Sequence, residues 1–238
     1  MNVSVADITA APTYTGLQQD PSPHFKTSRL YSRLWETNDL PLAHLVWGNK
    51  NVSRFITHPN GFSDAMILEK FQSELKNQST DNVSYWPWFL NGATTVDGEP
   101  MFVGVCGLRN VSKNNTITGY CLEVGVHLLP EYWNQGYANE MLSAVLDWAF
   151  DARGCKSIFA GHHPENIATA SLLKKNGFIE TSPELYHATG KMHNSYLLNK
   201  NDWLCHSSSC RGLLSAGAHA VIALIRIDDS MDSVVTAL

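Results

Sequence analysis

The sequence predicts a mixed α/β or α+β domain built around one sheet. Segments with helical spacing of apolar residues alternate along the chain with short aromatic or β-branched runs. Hydrophobic residues make up 44% of the 238 residues, which is enough for the core of a globular domain. Gly, Pro, Asn and Asp fall between the apolar runs, where turns and helix ends are expected.

The first half of the chain is predicted to hold one strand, two helices and a strand hairpin. Residues 1–26 are polar and interrupted by proline and glycine, so we expect a flexible lead-in. Ser63 is a typical helix cap, and Asp97-Gly98 is typical of a tight hairpin turn. The predicted elements are a strand at 30–34, helices at 40–47 and 63–77, and strands at 85–93 and 101–109.

The second half is predicted to alternate strands and helices. Met141, Leu142, Val145 and Leu146 form an apolar helix face, and Gly177 supplies a C-terminal cap to the helix before it. Beyond residue 203 the apolar alternation lacks start and stop signals, so 204–238 is interpreted as an appended tail of unclear structure. The predicted elements are strands at 116–129 and 155–160, helices at 137–151 and 166–176, and final strands at 178–180 and 195–198.

Composition narrows the function classes. The net charge of −5 and the lack of a cluster of Lys and Arg argue against nucleic acid as the main partner. No apolar run approaches the ~20 residues that a spanning helix needs, and no secretory signal is visible, so we expect a cytoplasmic protein without a membrane partner. The five cysteines are an odd number without paired metal-site spacing, so we expect reduced thiols and no metal.

A strand that runs through a short loop into a helix carries the chemistry. Gly136 and Ala138 have little or no side chain at the point where this helix opens. The first amides of a helix lack internal partners and carry the positive end of its dipole, so they can cradle a phosphate. On this pattern alone, a tight strand-to-helix turn with nothing bound is an equal alternative.

Several motifs then resemble one family in order along the chain. The segment Trp133-Asn134-Gln135-Gly136-Tyr137-Ala138-Asn139-Glu140 is similar to the acetyl-CoA diphosphate loop of GNAT acetyltransferases. It most resembles the branch of the ribosomal-protein N-terminal acetyltransferases. Thr27-Ser28-Arg29-Leu30 resembles the opening strand of that branch, and Asn166 with Asn176-Gly177-Phe178 resembles its second CoA-contacting segment. The resemblance covers residues 27–203.

The resemblance implies a fold, a cosubstrate and a set of binding residues. The expected fold is a mixed, mostly antiparallel sheet flanked by helices, with a V-shaped splay between two parallel strands, 121–128 and 155–162. Acetyl-CoA is expected in this splay, and the protein is expected to be a monomer or homodimer. The implied CoA-binding residues are Val126, Leu128, Gln135, Gly136, Tyr137, Ala138, Asn139, Asn166 and Thr169.

Three side chains are candidates for catalysis. Glu123 is a charge in an otherwise apolar strand and is the first candidate for the base that accepts a proton from the amine; a structural ion pair with Arg109 is the alternative. His127 shares its strand face by period two, and His162 ends the neighbouring strand. Some relatives carry a tyrosine acid where this chain has Leu173.

The acceptor is left open between a peptide N-terminus and a small-molecule amine. A non-catalytic CoA-binding or interaction module that kept the fold is the alternative function.

Overall fold

The computed structural model describes residues 25–57, 60–111 and 121–206. The segment expected to be flexible at 1–26 and the tail at 204–238 lie almost entirely outside these residues, as does the start of the strand expected at 116–129. The domain boundaries at 27 and 203 therefore stay predictions.

The predicted elements occur in the predicted order, and two short helices, Lys50–Ser53 and Lys200–His206, are added to them. The helices are α1 (Leu40–Trp47), α2 (Lys50–Ser53), α3 (Asp64–Thr80), α4 (Tyr137–Asp147), α5 (Ile167–Lys175) and α6 (Lys200–His206). The strands are β1 (Leu30–Ser32), β2 (Tyr85–Thr94), β3 (Pro100–Val111), β4 (Cys121–Leu128), β5 (Ser157–His162), β6 (Ile179–Tyr186) and β7 (Lys191–Asn199). A 3₁₀ turn (Pro130–Tyr132) precedes α4, and a π-helical turn (Trp148–Ala152) follows it.

The strands of the described residues form one sheet in the order β1-β2-β3-β4-β5-β7-β6. β4 and β5 are parallel, whereas the other neighbouring pairs are antiparallel. α4 provides the crossover that a parallel pair requires. The mixed, mostly antiparallel sheet is therefore confirmed.

The two faces of the sheet are buried by different helices. On one face the predicted apolar stripe of α4 packs into the core, and Met141, Leu142, Val145 and Leu146 have no exposed surface. On the other face α1 and α3 cover the sheet with Trp47, Ile67 and Phe71, which belong to a second apolar cluster.

Several elements differ from the sequence-based expectation. β7 is longer than the predicted strand at 195–198, and β5 is shifted by two residues from the predicted 155–160. α2 is a single turn that starts after Asn49, whose side chain accepts from the Asn51 amide, and a helix this short leaves no periodic signal. β6 was expected to end at 180 but runs to Tyr186; its residues are all exposed, so it lacks the inward-outward alternation of a half-buried strand. α6 continues directly from β7 and was not expected.

Candidate active site

β4 and β5 separate after two residue pairs. Leu122 pairs with Ile158 and Glu123 with Phe159, but no pairing joins the strands beyond that point. β4 nevertheless continues to Leu128, and β5 continues to His162 against β7. Backbone amides and carbonyls along the opened edges need other partners when they are buried. The V-shaped splay expected for this fold is confirmed.

The splay opens into a cleft of about 900 Å³. Its walls come from β4, β5, the starts of α4 and α5, residues 51–57, α3 and the β6–β7 hairpin. The expected site residues that line it are Glu123, Val126, His127, Leu128, Gly136, Tyr137, Ala138, Asn139, His162, Asn166 and Thr169. Gln135 does not line the cleft: it is exposed, and its side-chain amide donates to the Glu131 carbonyl at 2.7 Å.

The loop before α4 holds its open conformation through glycine. Gly136 has φ of 82°, a left-handed backbone conformation that residues other than glycine rarely adopt. As the N-cap residue it has no side chain with which to cap the helix, so no side chain bonds the first-turn amides from this position. Gly136, Tyr137, Ala138 and Asn139 line the cleft, so the positive end of the α4 dipole lies at its wall.

A network of hydrogen bonds from residues 27–29 holds the loop before α4 in place. Glu140 Oε1 accepts from Thr27 Oγ1 (2.6 Å), Ser28 Oγ (3.1 Å) and the Arg29 amide (2.9 Å). Arg29 Nε donates to Glu140 Oε2 at 2.7 Å, and its Nη1 donates to the Gln135 carbonyl at 2.9 Å. We refer to Thr27, Ser28, Arg29 and Glu140 as the loop clamp.

The clamp also shifts the titration of its carboxylate. Burial by itself raises the pKa of Glu140, but hydrogen bonds from Thr27, Arg29 and Ser28 outweigh burial and lower the pKa. The Arg29 guanidinium stacks 4.3 Å from the Tyr137 ring centroid. The clamp thus holds both the loop and the first turn of α4.

The start of α5 faces the same cleft. The Asn166 side chain accepts from the Thr169 amide at 3.3 Å and so caps the helix. At the other end of α5, Asn176 Nδ2 donates to Asn139 Oδ1 at 3.1 Å and ties α5 to the start of α4. The two candidate CoA-contacting segments are therefore held together by their own side chains.

The opposite face of β4 carries charged and aromatic groups. Glu123 lies across the ladder from Arg109, whose guanidinium sits 4.4 Å from the Tyr85 ring centroid. The space above Gly125 is filled by the same ring, since a Cβ there would lie 2.5 Å from Tyr85 Cζ. Glu123 and Arg109 both line the cleft. Both roles considered for Glu123, proton acceptor and structural partner of Arg109, therefore concern the same place in the cleft.

His127 is held neutral beside this group. Trp47 Nε1 donates to His127 Nδ1 at 3.1 Å, which assigns the remaining proton to Nε2. Burial, together with the positive charges of Lys70 and Arg109, lowers the pKa of His127 well below its usual value. The ring therefore offers an N–H donor, and its one lone pair is occupied.

Lys70 and Glu74 reach this face from α3. Glu74 Oε1 lies 3.3 Å from Lys70 Nζ, and Glu74 Oε2 accepts from Ser84 Oγ (3.0 Å) and the Tyr85 amide (2.9 Å). Burial is the main reason that the pKa of Lys70 falls from 10.5 to about 8, partly opposed by Glu74. Two basic side chains, Lys70 and Arg109, and two acidic ones, Glu74 and Glu123, therefore line this face of the cleft together.

His162 lies at the end of β5 with both ring nitrogens engaged. Nδ1 bonds to the His163 carbonyl at 2.7 Å, and because a carbonyl only accepts, this nitrogen carries the proton. Nε2 then accepts from Tyr196 Oη at 3.3 Å. His163 points elsewhere: its ring stacks on Phe55, and its Nδ1 accepts from the Glu165 amide. The adjacent histidines thus take separate partners.

Comparison with known proteins assigns the family. Residues 29–179 match the family model described as an acetyltransferase (GNAT) domain. An uncharacterized N-acetyltransferase of Bacillus subtilis (strain 168), YoaA, is 39% identical over 156 residues, which are 66% of this chain and 82% of that protein. The chain belongs to the GNAT acetyltransferase family.

Solved structures share the fold of this acetyltransferase. A putative ribosomal-protein-serine acetyltransferase from Vibrio cholerae matches with a TM-score of 0.58 at 18% identity, over 75% of this chain and 98% of that one. RimL, a ribosomal L7/L12 α-N-protein acetyltransferase, matches with a TM-score of 0.58 at 16% identity, over 73% and 98%. The resemblance inferred from the sequence motifs is confirmed at the level of family and fold.

Two groups of residues in this GNAT site were not predicted from the sequence. The loop clamp joins two motifs that resembled the family separately, and only their spatial contact shows that one holds the other. Lys70 and Glu74 sit on the inner face of α3 at a helical spacing of four, a pattern that is indistinguishable in sequence from a solvated ion pair. In the part of the chain that the structure describes, no group of His, Cys, Asp or Glu could hold a metal ion, and no helix is long and apolar enough to cross a membrane.

Proposed function

We propose that this acetyltransferase takes the acetyl group of acetyl-CoA and transfers it to a primary amine by direct attack. The observation that supports this most is the opening of β4 and β5 beside the uncapped start of α4. The opened edges of β4 and β5 offer backbone hydrogen-bonding groups to the pantetheine arm of CoA, and the start of α4 offers helix amides to its diphosphate. RimL, a neighbour in fold, is described in complex with coenzyme A.

One group of cleft residues is proposed to bind acetyl-CoA. Gly136, Tyr137, Ala138 and Asn139 would bind the diphosphate at the start of α4, with Gln135 contributing through its backbone carbonyl to the clamp. Asn166 and Thr169 at the start of α5 line the same cleft, as do Val126 and Leu128 on the opened edge of β4. In this proposal the amides of Val126 and Leu128 polarise the thioester carbonyl. The thioester supplies an activated acetyl group and a thiolate leaving group.

Glu123 is the proposed base. An amine at neutral pH is mostly protonated, so a group in the cleft must accept a proton before attack. Glu123 is a carboxylate of β4 that lines the cleft, whereas the ring lone pairs of His127 and His162 accept hydrogen bonds from Trp47 and Tyr196. The guanidinium of Arg109 lies across the ladder from Glu123 and lines the same cleft.

His127 and His162 take supporting roles in this proposal. The Nε2–H of His127 can donate to the acceptor or to a water that relays the proton to Glu123. His162 stacks on Tyr196 and fixes the end of β5 at the cleft. Leu173 is buried where some relatives have a tyrosine, so water is the proposed proton donor to the departing thiolate. No metal is required by this scheme.

The acceptor is proposed to be a peptide N-terminus or a small-molecule amine. The neighbours in fold that are named for a substrate are ribosomal-protein acetyltransferases, which favours the peptide. We propose a monomer or homodimer in the cytoplasm, without nucleic acid or membrane as partner.

The test is thiol release from acetyl-CoA with a panel of peptides and amines, for wild type and Glu123→Gln. We expect turnover to fall by about 100-fold or more in the variant while calorimetric affinity for CoA is unchanged. Glu99→Gln, an exposed carboxylate at the β2–β3 turn, is the matched control and should keep full turnover. Tight CoA binding without thiol release for any acceptor would instead identify a non-catalytic CoA-binding module.

A further inference from the structure

A lysine of the chain itself lines the same cleft as the proposed base, where the external amine is proposed to bind. Lys70 projects from α3, lines the cleft, and has a side chain that is only 15% exposed. Its Nζ lies 4.5 Å from the ring centroid of Trp47 and 5.4 Å from that of Tyr85. The Lys70 amine is thus held between two aromatic rings. It belongs to the same chemical class as the amine proposed as the substrate of the enzyme.

This lysine lies next to the strand where the acetyl group is expected. Trp47, which contacts the Lys70 ammonium, also donates to His127 on β4. His127 follows the point where β4 and β5 separate, and the positive charge of Lys70 is one reason for its depressed pKa. The lysine and the opened edge of β4 therefore face the same part of the cleft.

The protonation state of Lys70 also suits attack. Burial lowers its pKa to about 8, whereas an ordinary lysine has a pKa of 10.5. At pH 7 about a tenth of Lys70 carries a free lone pair, about 300-fold more than an ordinary lysine. The positive charge of Arg109 lowers the pKa in the same direction as burial, whereas Glu74 and Glu123 oppose burial by raising it.

We propose that Lys70 is an internal acceptor that the enzyme acetylates on itself. The inference rests on the proposed function, because it requires acetyl-CoA in the splay. The Nζ lone pair forms a bond to the acetyl carbon, the carbon–sulfur bond breaks, and the proton lost by the amine passes through water to the thiolate. The products are Nε-acetyl-lysine at position 70 and free CoA.

Acetylation at this position changes the cleft. The modified side chain is neutral, so Glu74 loses the cation beside its Oε1 atom while keeping its bonds to Ser84 and the Tyr85 amide. The added acetyl group would occupy space beside the Tyr85 ring, which lines the cleft proposed to bind the external amine. Self-acetylated enzyme should therefore turn over external acceptors more slowly than unmodified enzyme.

The test uses the full chain incubated with acetyl-CoA and no acceptor, followed by peptide mass spectrometry. We expect Lys70 to become acetylated at a rate per molecule that does not change on tenfold dilution, as a reaction within one chain requires. Desulfo-CoA, which lacks the thiol but keeps the binding groups, should suppress the modification at Lys70. Lys76, exposed on the same helix, is the internal control for acetylation from solution and should not respond to desulfo-CoA.

Two variants complete the test. Lys70→Arg should abolish the modification and the slow loss of acceptor turnover on preincubation with acetyl-CoA, whereas Lys76→Arg should leave both intact. Unmodified Lys70 in an enzyme that acetylates external amines would overturn the inference and leave the proposed function standing. Acetylation of Lys70 that desulfo-CoA does not suppress would also overturn it, as solution chemistry. Absence of CoA binding would overturn both.

Discussion

Glu140→Gln is the sharpest perturbation of the loop clamp. The carboxylate accepts four hydrogen bonds from residues 27–29, and Arg29 in turn holds the Gln135 carbonyl. Glutamine has nearly the same shape but keeps only one oxygen, and it places an amide N–H₂ group against a donor. The variant therefore removes the charge and at least one bond without creating a cavity.

The size of the effect follows from these contacts. A hydrogen bond to a charged group contributes about 1.5–3 kcal/mol, but Arg29 is 45% exposed and solvent weakens its share. We expect the free energy of unfolding to fall by about 1.5 kcal/mol, which for a domain of this size lowers Tm by about 3–6 °C. A comparable cost for reordering the loop raises the Kd for acetyl-CoA by about tenfold.

The pH dependence has a defined sign. Because hydrogen bonds lower the pKa of Glu140 in the folded state, its stabilising contribution is present above the unfolded pKa of about 4.3 and is lost as the pH falls through the folded pKa. The difference in unfolding free energy between wild type and Glu140→Gln should thus shrink between pH 7 and pH 3.

Thermal unfolding and acetyl-CoA titration calorimetry measure both effects. Glu131→Gln is the matched control, because Glu131 is an exposed carboxylate before the same helix and takes no part in the clamp. An unchanged Tm together with unchanged acetyl-CoA affinity in Glu140→Gln would refute the reasoning, since the clamp would then hold nothing that the ligand needs. A lower Tm with unchanged affinity would show a contribution to stability alone.

Three further predictions concern the loop, the neutral histidine and the buried lysine. Gly136→Ala forces a side chain into a left-handed conformation with its Cβ 3.4 Å from Arg29 Nη2, so acetyl-CoA affinity should fall at least tenfold by calorimetry, with about 1 kcal/mol lost in urea unfolding. Trp47→Phe leaves His127 Nδ1 without its donor, so ¹⁵N NMR should show a population protonated at Nδ1; a single unchanged tautomer would contradict the assignment. Because Lys70 has a depressed pKa, the unfolded state binds more protons between pH 8 and 10.5, and stability should rise with pH there. Wild type should gain about 2 kcal/mol between pH 7.5 and 9.5 relative to Lys70→Met, and parallel curves would refute the shift.

Local signals in the sequence were sufficient for much of the fold. The Asp97-Gly98 turn does join β2 to β3, with Thr94 pairing to Pro100. Gly136 does begin a helix in a left-handed conformation. Caps, turns and periodicity act through neighbours a few residues apart, so their outcome can be read without the rest of the chain. Exposed β6 carries no such signal and was predicted too short.

The sequence by itself therefore determined the order of elements, the helix start at Gly136 and the shared face of Glu123 and His127, because each depends on a spacing of at most a few residues. Tertiary structure alone decided which partners these groups meet. Glu140 is clamped by residues more than 110 positions away, and the pKa of Lys70 is set by its burial. Both depend on how helices close over a shared sheet, and local patterns contain no record of that packing.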